Sequence, residues 1–354
     1  MGIKIGFAER PTAPRCGRLQ RTLEIEENLR MLIRATLSVA LAVALLGAAT
    51  LSSQDHRESA ADAARTPAPT VDRKLTDPAL VGAVDLHVHS DPDSYRRSVD
   101  PFEAAINAKS RGMRAIVLKN HFSQTAGLAY LVRKQVPGIE VFGGIALNTP
   151  VGGINPEAVR HMTEIRGGYG KVVWMPTHDA EQEVTALKEK RPFVTFSRNG
   201  KLVPAVFEVL DLIAKHDLVL ATGHVSANEL VLLLRAAKEH NVKRIIVTHP
   251  TLGEQFTFLT LPQMKAAAQQ GAYIEFVSYF AFEGTAADVK KTADIIRAIG
   301  PASVIISSDT GLAGRPLHPD ALALAAQALR KEGFSEPDLN KMFKENPARL
   351  LGLK

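Results

Sequence analysis

From residue 80 onward, short apolar runs alternate with longer stretches in which apolar residues recur at helical spacing. This alternation is typical of repeated βα units around a parallel sheet. Eight runs have the length and composition of strands, and they lie at residues 84–89, 115–121, 141–147, 172–177, 218–224, 244–249, 273–278 and 304–309. An open dinucleotide-binding sheet would have a GxGxxG turn after its first strand, and no such turn follows the first run here. The pattern therefore predicts an α/β fold in which residues 80–354 form one (β/α)8 barrel.

A different pattern fills the chain before this barrel. Residues 31–53 combine Arg34 with an apolar run of about 15 residues that ends in small residues, which is typical of a signal peptide. The run is shorter than the roughly 20 residues of a membrane-spanning helix, but a retained N-terminal anchor is an alternative. Residues 1–30 are interpreted as an unstructured extension or a start-site artefact, and residues 54–79 as a flexible linker. We therefore expect an exported, periplasmic protein, which is membrane-anchored only if the leader is retained.

Composition and charge narrow the function classes. The chain has 354 residues, of which 45% are hydrophobic, so it can bury a large core. Its net charge is +6, but seven Lys/Arg against four Glu in residues 1–50 leave only +3 for the remainder. Binding to nucleic acid is not expected, because it needs a clustered basic surface. Cys16 is the only cysteine and precedes the predicted barrel, which excludes a disulfide and a thiolate metal ligand there.

Five of the eight predicted strands carry or end in side chains that can bind or act beside a metal ion. In a barrel such residues converge at the mouth formed by the C-terminal strand ends. Residues two apart on a strand share a face, so the first two strands each contribute a pair. Imidazole nitrogens suit a zinc-like ion, and an aspartate adds a carboxylate oxygen. The candidates are His87, His89, Lys119, His121, His224, His249 and Asp309.

Four motifs together resemble the amidohydrolase superfamily: VDLHVHS at 84–90, VTHP at 247–250, SSDTG at 307–311 and NPARLLGL at 346–353. The resemblance implies a barrel hydrolase with one or two divalent ions, zinc by preference and otherwise Mn, Fe or Ni. The metal ligands that it implies on the first, fifth, sixth and eighth strands are His87, His89, His224, His249 and Asp309. The implied reaction is hydrolysis of an amide, lactam, lactone or ester bond in a small molecule. Asp309 would be the general base for metal-activated water.

Lys119 departs from that resemblance. Binuclear members place a carboxylated lysine on the fourth strand, whereas the fourth run here, VVWMPTHDA, has none and the lysine stands on the second strand. Metal ions repel an ammonium group, so Lys119 is neutral, turned away or carbamylated into an anionic ligand. His121, two residues later, is a less certain ligand. Substrate binding or support of the ligands is expected from His178, Asp179, Glu275, Arg315 and His318.

Three alternatives stay open. The stretch from residue 85 to 121 also resembles the opening of the PHP phosphoesterases, but Asn120 and Ala146 stand where that family has acids. The amidohydrolase scaffold also supports metal-dependent decarboxylation. A periplasmic binding module with a vestigial site is the non-enzymatic alternative. The sequence leaves open the substrate, the number of metal ions and the oligomeric state, a homo-oligomer included.

Overall fold

Eight parallel strands form a barrel in the computed structural model, which describes residues 72–354. Each strand pairs with the next one along the chain. The strands are β1 (Val84–Val88), β2 (Ala115–Leu118), β3 (Glu140–Ala146), β4 (Gly170–Trp174), β5 (Val219–Ala221), β6 (Ile245–Val247), β7 (Tyr273–Val277) and β8 (Val304–Ser307). All eight predicted strands are confirmed, and the fold is the predicted (β/α)8 barrel.

Helices follow the strands and cover the outside of the barrel. The α-helices are α1 (Pro101–Ser110), α2 (Ala126–Gln135), α3 (Pro156–Glu164), α4 (Glu181–Ala186), α5 (Pro204–Lys215), α6 (Ala227–Glu239), α7 (Leu261–Gln269), α8 (Tyr279–Phe282), α9 (Ala286–Ile299), α10 (His318–Lys331), α11 (Glu336–Asn340) and α12 (Asn346–Leu351). A short hairpin, Ser197–Arg198 with Lys201–Leu202, lies between α4 and α5. Local capping sets the helix bounds: α1 begins at a capping box of Asp100 with Glu103.

The first and last strands close the barrel at its mouth. The backbone N–H of Asp309 donates to the His87 carbonyl at 2.9 Å, and the N–H of His89 donates at 2.9 Å to the carbonyl of the residue after Asp309. The Asp85 carboxylate joins the two strands, because its Oδ1 accepts from the backbone N–H groups of His87 and Ser308. The closing seam of the barrel therefore carries the HxH pair together with the aspartate of the eighth strand.

A β-bulge in β1 sets the direction of the two histidines. Between Asp85 and Val88, β1 has one residue more than the paired segment of β2. Leu86 packs in the barrel interior, whereas Val88 belongs to the outer core beneath the helices. The extra residue shifts the alternation of side chains along the strand. It turns His87 and His89 inward, and a regular strand with Leu86 inside would direct both of them outward.

The chain packs against the barrel several residues before the boundary expected at residue 80. The backbone N–H groups of Arg73 and Leu75 donate to Asp320 of α10, at 2.6 and 2.8 Å. The guanidinium of Arg330 pairs with Asp77, which is buried. The last residues of the predicted linker are therefore part of the folded unit.

The predicted leader at 31–53 and the extension at 1–30 lie outside the described residues. Export and anchoring stay predictions. Within residues 72–354, no helix has the length and hydropathy needed to cross a membrane.

Candidate metal centre

Six histidine rings form a closed circle at the mouth of the barrel. Each ring lies beside the next, with centroid separations between 4.0 and 6.2 Å. The rings come from the ends of β1, β2, β4, β5 and β6, which explains why residues far apart in sequence meet. In order around the circle they are His87, His89, His121, His178, His224 and His249.

We use the name seam cluster for His87, His89 and Asp309. Among the described residues, this is the one group of at least three His, Cys, Asp or Glu side chains whose ligand atoms lie close together. Their ligand atoms all lie within 4.8 Å of one another. Asp309 Oδ1 lies 2.8 Å from His87 Nε2 and 3.2 Å from His89 Nε2. Burial alone would raise the pKa of Asp309, but the two imidazoles outweigh it and hold that pKa well below its usual range. An ionised carboxylate and two imidazole nitrogens at these distances can hold a divalent cation.

Lys119, Trp174 and Glu275 also lie around the His87 ring. Lys119 Nζ lies 2.7 Å from His87 Nε2 and 5.5 Å from the centre of the Trp174 ring. Burial lowers the pKa of Lys119 to about 8. Glu275 Oε1 lies 3.4 Å from His87 Nδ1. The lysine is therefore directed into the site, which leaves the neutral and the carbamylated forms of the three that the sequence allowed.

Glu183 links two histidines on the opposite side of the circle, and it is not among the site residues predicted from the sequence. Its Oε1 lies 2.7 Å from His178 Nδ1, and its Oε2 lies 2.6 Å from His224 Nδ1. Burial would raise the pKa of Glu183, but the two histidines outweigh it and lower that pKa. Glu183 lies on the short helix α4, and no motif marks it. The only signal in the sequence is an acid next to Val184, on a helix turn that faces the barrel.

Two further residues that the sequence analysis missed hold His121 in place. The His121 ring lies 4.0 Å from the His178 ring, and its Nδ1 lies 2.9 Å from Thr177 Oγ1. Asn148 Nδ2 donates to Thr177 Oγ1 and to the His121 carbonyl oxygen, at 2.6 and 2.8 Å. All four side chains are buried or nearly so. Hydrogen bonds with Thr177 and Asn148 therefore fix the position of His121.

Left-handed backbone conformations turn two strand ends toward the mouth. Gly223 has a φ of 63°, and a Cβ there would lie 2.3 Å from the Met175 carbonyl oxygen, so only glycine fits before His224. Asp309 has a φ of 52°, which aspartate tolerates better than β-branched residues do. These turns end β5 and β8 earlier than the runs predicted to residues 224 and 309.

Arg315 reaches the seam cluster through one other residue. Its Nη1 donates to the Tyr279 hydroxyl at 2.7 Å, and that hydroxyl donates to the Asp309 carbonyl at 2.9 Å. Arg315 Nε also pairs with Glu283 Oε1 at 2.8 Å. These contacts place the guanidinium beside the eighth strand, and its role in substrate binding stays a prediction.

Asp179 and His318 contact parts of the fold outside the circle. The Asp179 carboxylate accepts from the Arg191 guanidinium and from the backbone N–H of Thr149. His318 is buried at the start of α10, near Arg111, and burial lowers its pKa to about 3. These are the contacts of residues that hold a loop and a helix in place, and a role in substrate binding stays a prediction for both.

The family of the chain follows from its central part. Residues 82–275 match the model of a protein family described as a family of unknown function (DUF6282). The chain belongs to this family. The matched segment contains all six histidines of the circle and ends before Asp309. No curated protein matches the chain.

Solved structures of similar fold are distant in sequence. An amidohydrolase from Pseudomonas aeruginosa is 12% identical, with a TM-score of 0.51 over 77% of this chain and 97% of that protein. A zinc-bound amidohydrolase from Burkholderia multivorans is 13% identical, with a TM-score of 0.51 over 77% and 99%. An organophosphorus hydrolase from Deinococcus radiodurans is 16% identical, with a TM-score of 0.50 over 81% and 97%. These similarities confirm the amidohydrolase-like barrel, and they do not show the resemblance to PHP phosphoesterases.

Proposed function

We propose that this DUF6282 protein is a metal-dependent hydrolase that cleaves an amide, lactam, lactone or ester bond of a small molecule. The observation that carries the proposal is the seam cluster, in which a carboxylate and two imidazoles converge within 4.8 Å. The amidohydrolases of the same fold support the assignment, and one of them has bound zinc. A site rich in imidazole favours zinc, with Mn, Fe or Ni as alternatives.

The buried histidines also fit a cation. His89 Nδ1, His224 Nε2 and His249 Nδ1 are buried and have no hydrogen-bond partner among residues 72–354. A buried polar atom without a partner costs roughly 1–3 kcal/mol, so a ligand is expected to satisfy at least some of them. Burial lowers the pKa of each of these imidazoles, which keeps them neutral and able to offer a lone pair. In this proposal the seam cluster holds one ion, and His224 and His249 are ligands of that ion or of a second one.

The proposed mechanism assigns proton transfer to Asp309. A bound divalent ion supplies Lewis acidity and lowers the pKa of water at the site. Asp309 Oδ1 is held by His87 and His89, so Oδ2 takes the proton from the attacking water and passes it to the leaving group. The aromatic rings of Tyr95 and Phe256 pack beside the circle, 5.4 Å from the His178 ring and 4.8 Å from the His224 ring.

We also propose that Lys119 is carbamylated in the active protein. Its Nζ lies 2.7 Å from an imidazole nitrogen that we assign to the metal, where an ammonium would be repelled. In the reaction, the neutral amine bonds to the carbon of CO2 and releases one proton, which leaves an anionic carbamate. The carbamate would offer oxygens to the ion and would remove the repulsion.

The test combines metal analysis with a substrate panel on the purified full chain. The panel contains lactones, N-acyl amino acids, cyclic amides, phosphotriesters and phosphomonoesters, each assayed with Zn²⁺, Mn²⁺, Fe²⁺ and Ni²⁺. We expect bound metal, turnover that a chelator abolishes and metal restores, and at least tenfold weaker metal binding after His87→Ala or His89→Ala. The exposed His161 on α3 gives the control, since His161→Ala leaves both properties unchanged.

Two outcomes would contradict the proposal. A protein that holds no metal and cannot be reconstituted would favour the binding module. Turnover of phosphomonoesters alone would favour the PHP alternative, although Asn120 and Ala146 occupy positions where that family has acids.

A further inference from the structure

Glu183 fixes the proton positions of two histidines at once. Both of its carboxylate oxygens are used, one on His178 Nδ1 at 2.7 Å and the other on His224 Nδ1 at 2.6 Å. An ionised carboxylate can only accept hydrogen bonds, so each imidazole must carry its proton on Nδ1. In the neutral imidazole, Nε2 then has a free lone pair. A buried acid behind a histidine is a recurrent device for orienting metal-binding imidazoles.

The nitrogen that this arrangement exposes on His224 lacks a partner. His224 Nε2 is buried and makes no hydrogen bond with any described residue, while the residue as a whole is 2% exposed. Because Glu183 holds the proton of the neutral ring on Nδ1, the lone pair of Nε2 stays free. A buried lone pair of this kind is satisfied by a metal ion or by a donor group from a ligand.

His121 completes the same arc of the circle. Its ring lies 4.0 Å from His178, whose ring lies 6.2 Å from His224. Thr177 Oγ1, at 2.9 Å, can accept the Nδ1 proton of His121, because a hydroxyl oxygen has two acceptor lone pairs. All three rings are then held at Nδ1, which leaves the Nε2 lone pair of each neutral ring available to a ligand.

We propose that His121, His178 and His224 form a second divalent-cation position, with Glu183 as the residue that positions two of its three ligands. The inference deepens the proposed function and rests on it. Three neutral imidazoles favour a borderline ion such as Zn²⁺ over Mg²⁺ or Ca²⁺, which prefer oxygen ligands. Glu183 supplies the compensating negative charge, one hydrogen bond away from the ligands.

The ligand atoms of the second cation position lie farther apart than those of the seam cluster. The ligand atoms of the seam cluster lie within 4.8 Å of one another, and no other group among the described residues meets that distance. The rings of the second position must therefore move closer around an ion. This movement costs binding energy, so the second ion is the weaker one and the first to be removed by a chelator.

The test counts Zn²⁺ ions on the purified full chain and locates them by anomalous X-ray diffraction. The wild-type protein should bind two equivalents, and His178→Ala should bind one, at the seam cluster. Glu183→Gln preserves the size of the side chain but removes its charge, and it should weaken the second ion by about tenfold or more with little change at the first. His161→Ala should retain both equivalents. These readouts do not depend on turnover.

The outcomes separate this inference from the proposed function. One equivalent in the wild type, lost in His87→Ala and retained in His178→Ala, would overturn the second position and leave the proposed function intact. Two equivalents in His178→Ala, or unchanged second-ion affinity in Glu183→Gln, would also overturn it. A wild-type protein without any bound Zn²⁺ would remove both proposals together. If His178→Ala does not fold, the affinity of Glu183→Gln for the second Zn²⁺ still tests the second cation position.

Discussion

The two sides of the histidine circle place their carboxylates differently. In the seam cluster, Asp309 lies among the rings and touches His87 and His89 at Nε2. On the opposite side, Glu183 lies behind the rings and touches His178 and His224 at Nδ1. A carboxylate among the rings can bind an ion and take up a proton, whereas one behind them can only orient the rings and supply charge. Proton transfer is therefore expected on the seam side alone.

The largest expected effect tests that assignment. Asp309→Asn keeps an oxygen that can coordinate an ion but cannot accept a proton near neutral pH. We expect near-normal metal content with kcat reduced about 100-fold or more, the usual size of a general-base contribution. Steady-state kinetics on the best substrate of the panel, together with elemental analysis, measures both quantities. An unchanged kcat would exclude Asp309 from proton transfer, and Asp211→Asn, at an exposed aspartate, serves as the control.

Substitution of Lys119 tests whether metal binding at the seam cluster needs a carbamate in addition to the Asp309 carboxylate. If Lys119 is carbamylated, Lys119→Ala should weaken metal binding by more than about tenfold, the range of ligand-supporting residues. Activity should return in part with formate, acetate or bicarbonate, because a small carboxylate can occupy the space left by the carbamate. Full metal occupancy in Lys119→Ala would instead assign the lysine to substrate binding or to structure. Lys290→Ala, at an exposed lysine, should behave as the wild type.

The seam side was predictable from the sequence, because its residues lie in short motifs. His87 and His89 stand two apart on a strand, and Asp309 follows the eighth apolar run, so both the fold and this half of the site follow from periodicity. The bulge in β1 was not predictable, since the sequence from 84 to 89 gives no sign of the extra residue that turns the pair inward. His87 and His89 lie beside Asp309 as the sequence predicts, but their inward direction depends on that bulge.

The opposite side was only half predictable, for a different physical reason. His178 and His224 were candidates because they follow strands, but the acid that joins them lies on a separate helix after β4. Glu183 meets His224 across 41 residues of sequence, through a tertiary contact that no local period encodes. Thr177 and Asn148 were also not predictable from the sequence, because residues that support a histidine by hydrogen bonds belong to no sequence motif.

The smallest effect is expected at Glu275, which contacts a histidine at Nδ1 as Glu183 does. Glu275 approaches His87 Nδ1 at 3.4 Å, whereas Glu183 approaches its two histidines at 2.6 and 2.7 Å. A longer hydrogen bond orients its ring less firmly, and Asp309 already holds His87 from the other side. Glu275→Gln should therefore weaken the seam ion by about tenfold at most, the lower end of the range for such supporting residues. Competition with a chelator of known affinity measures the change, and Glu208→Gln, on the exposed face of α5, is the matched control. A loss much larger than tenfold would mean that Glu275 acts on the ion more directly than its distance from His87 implies.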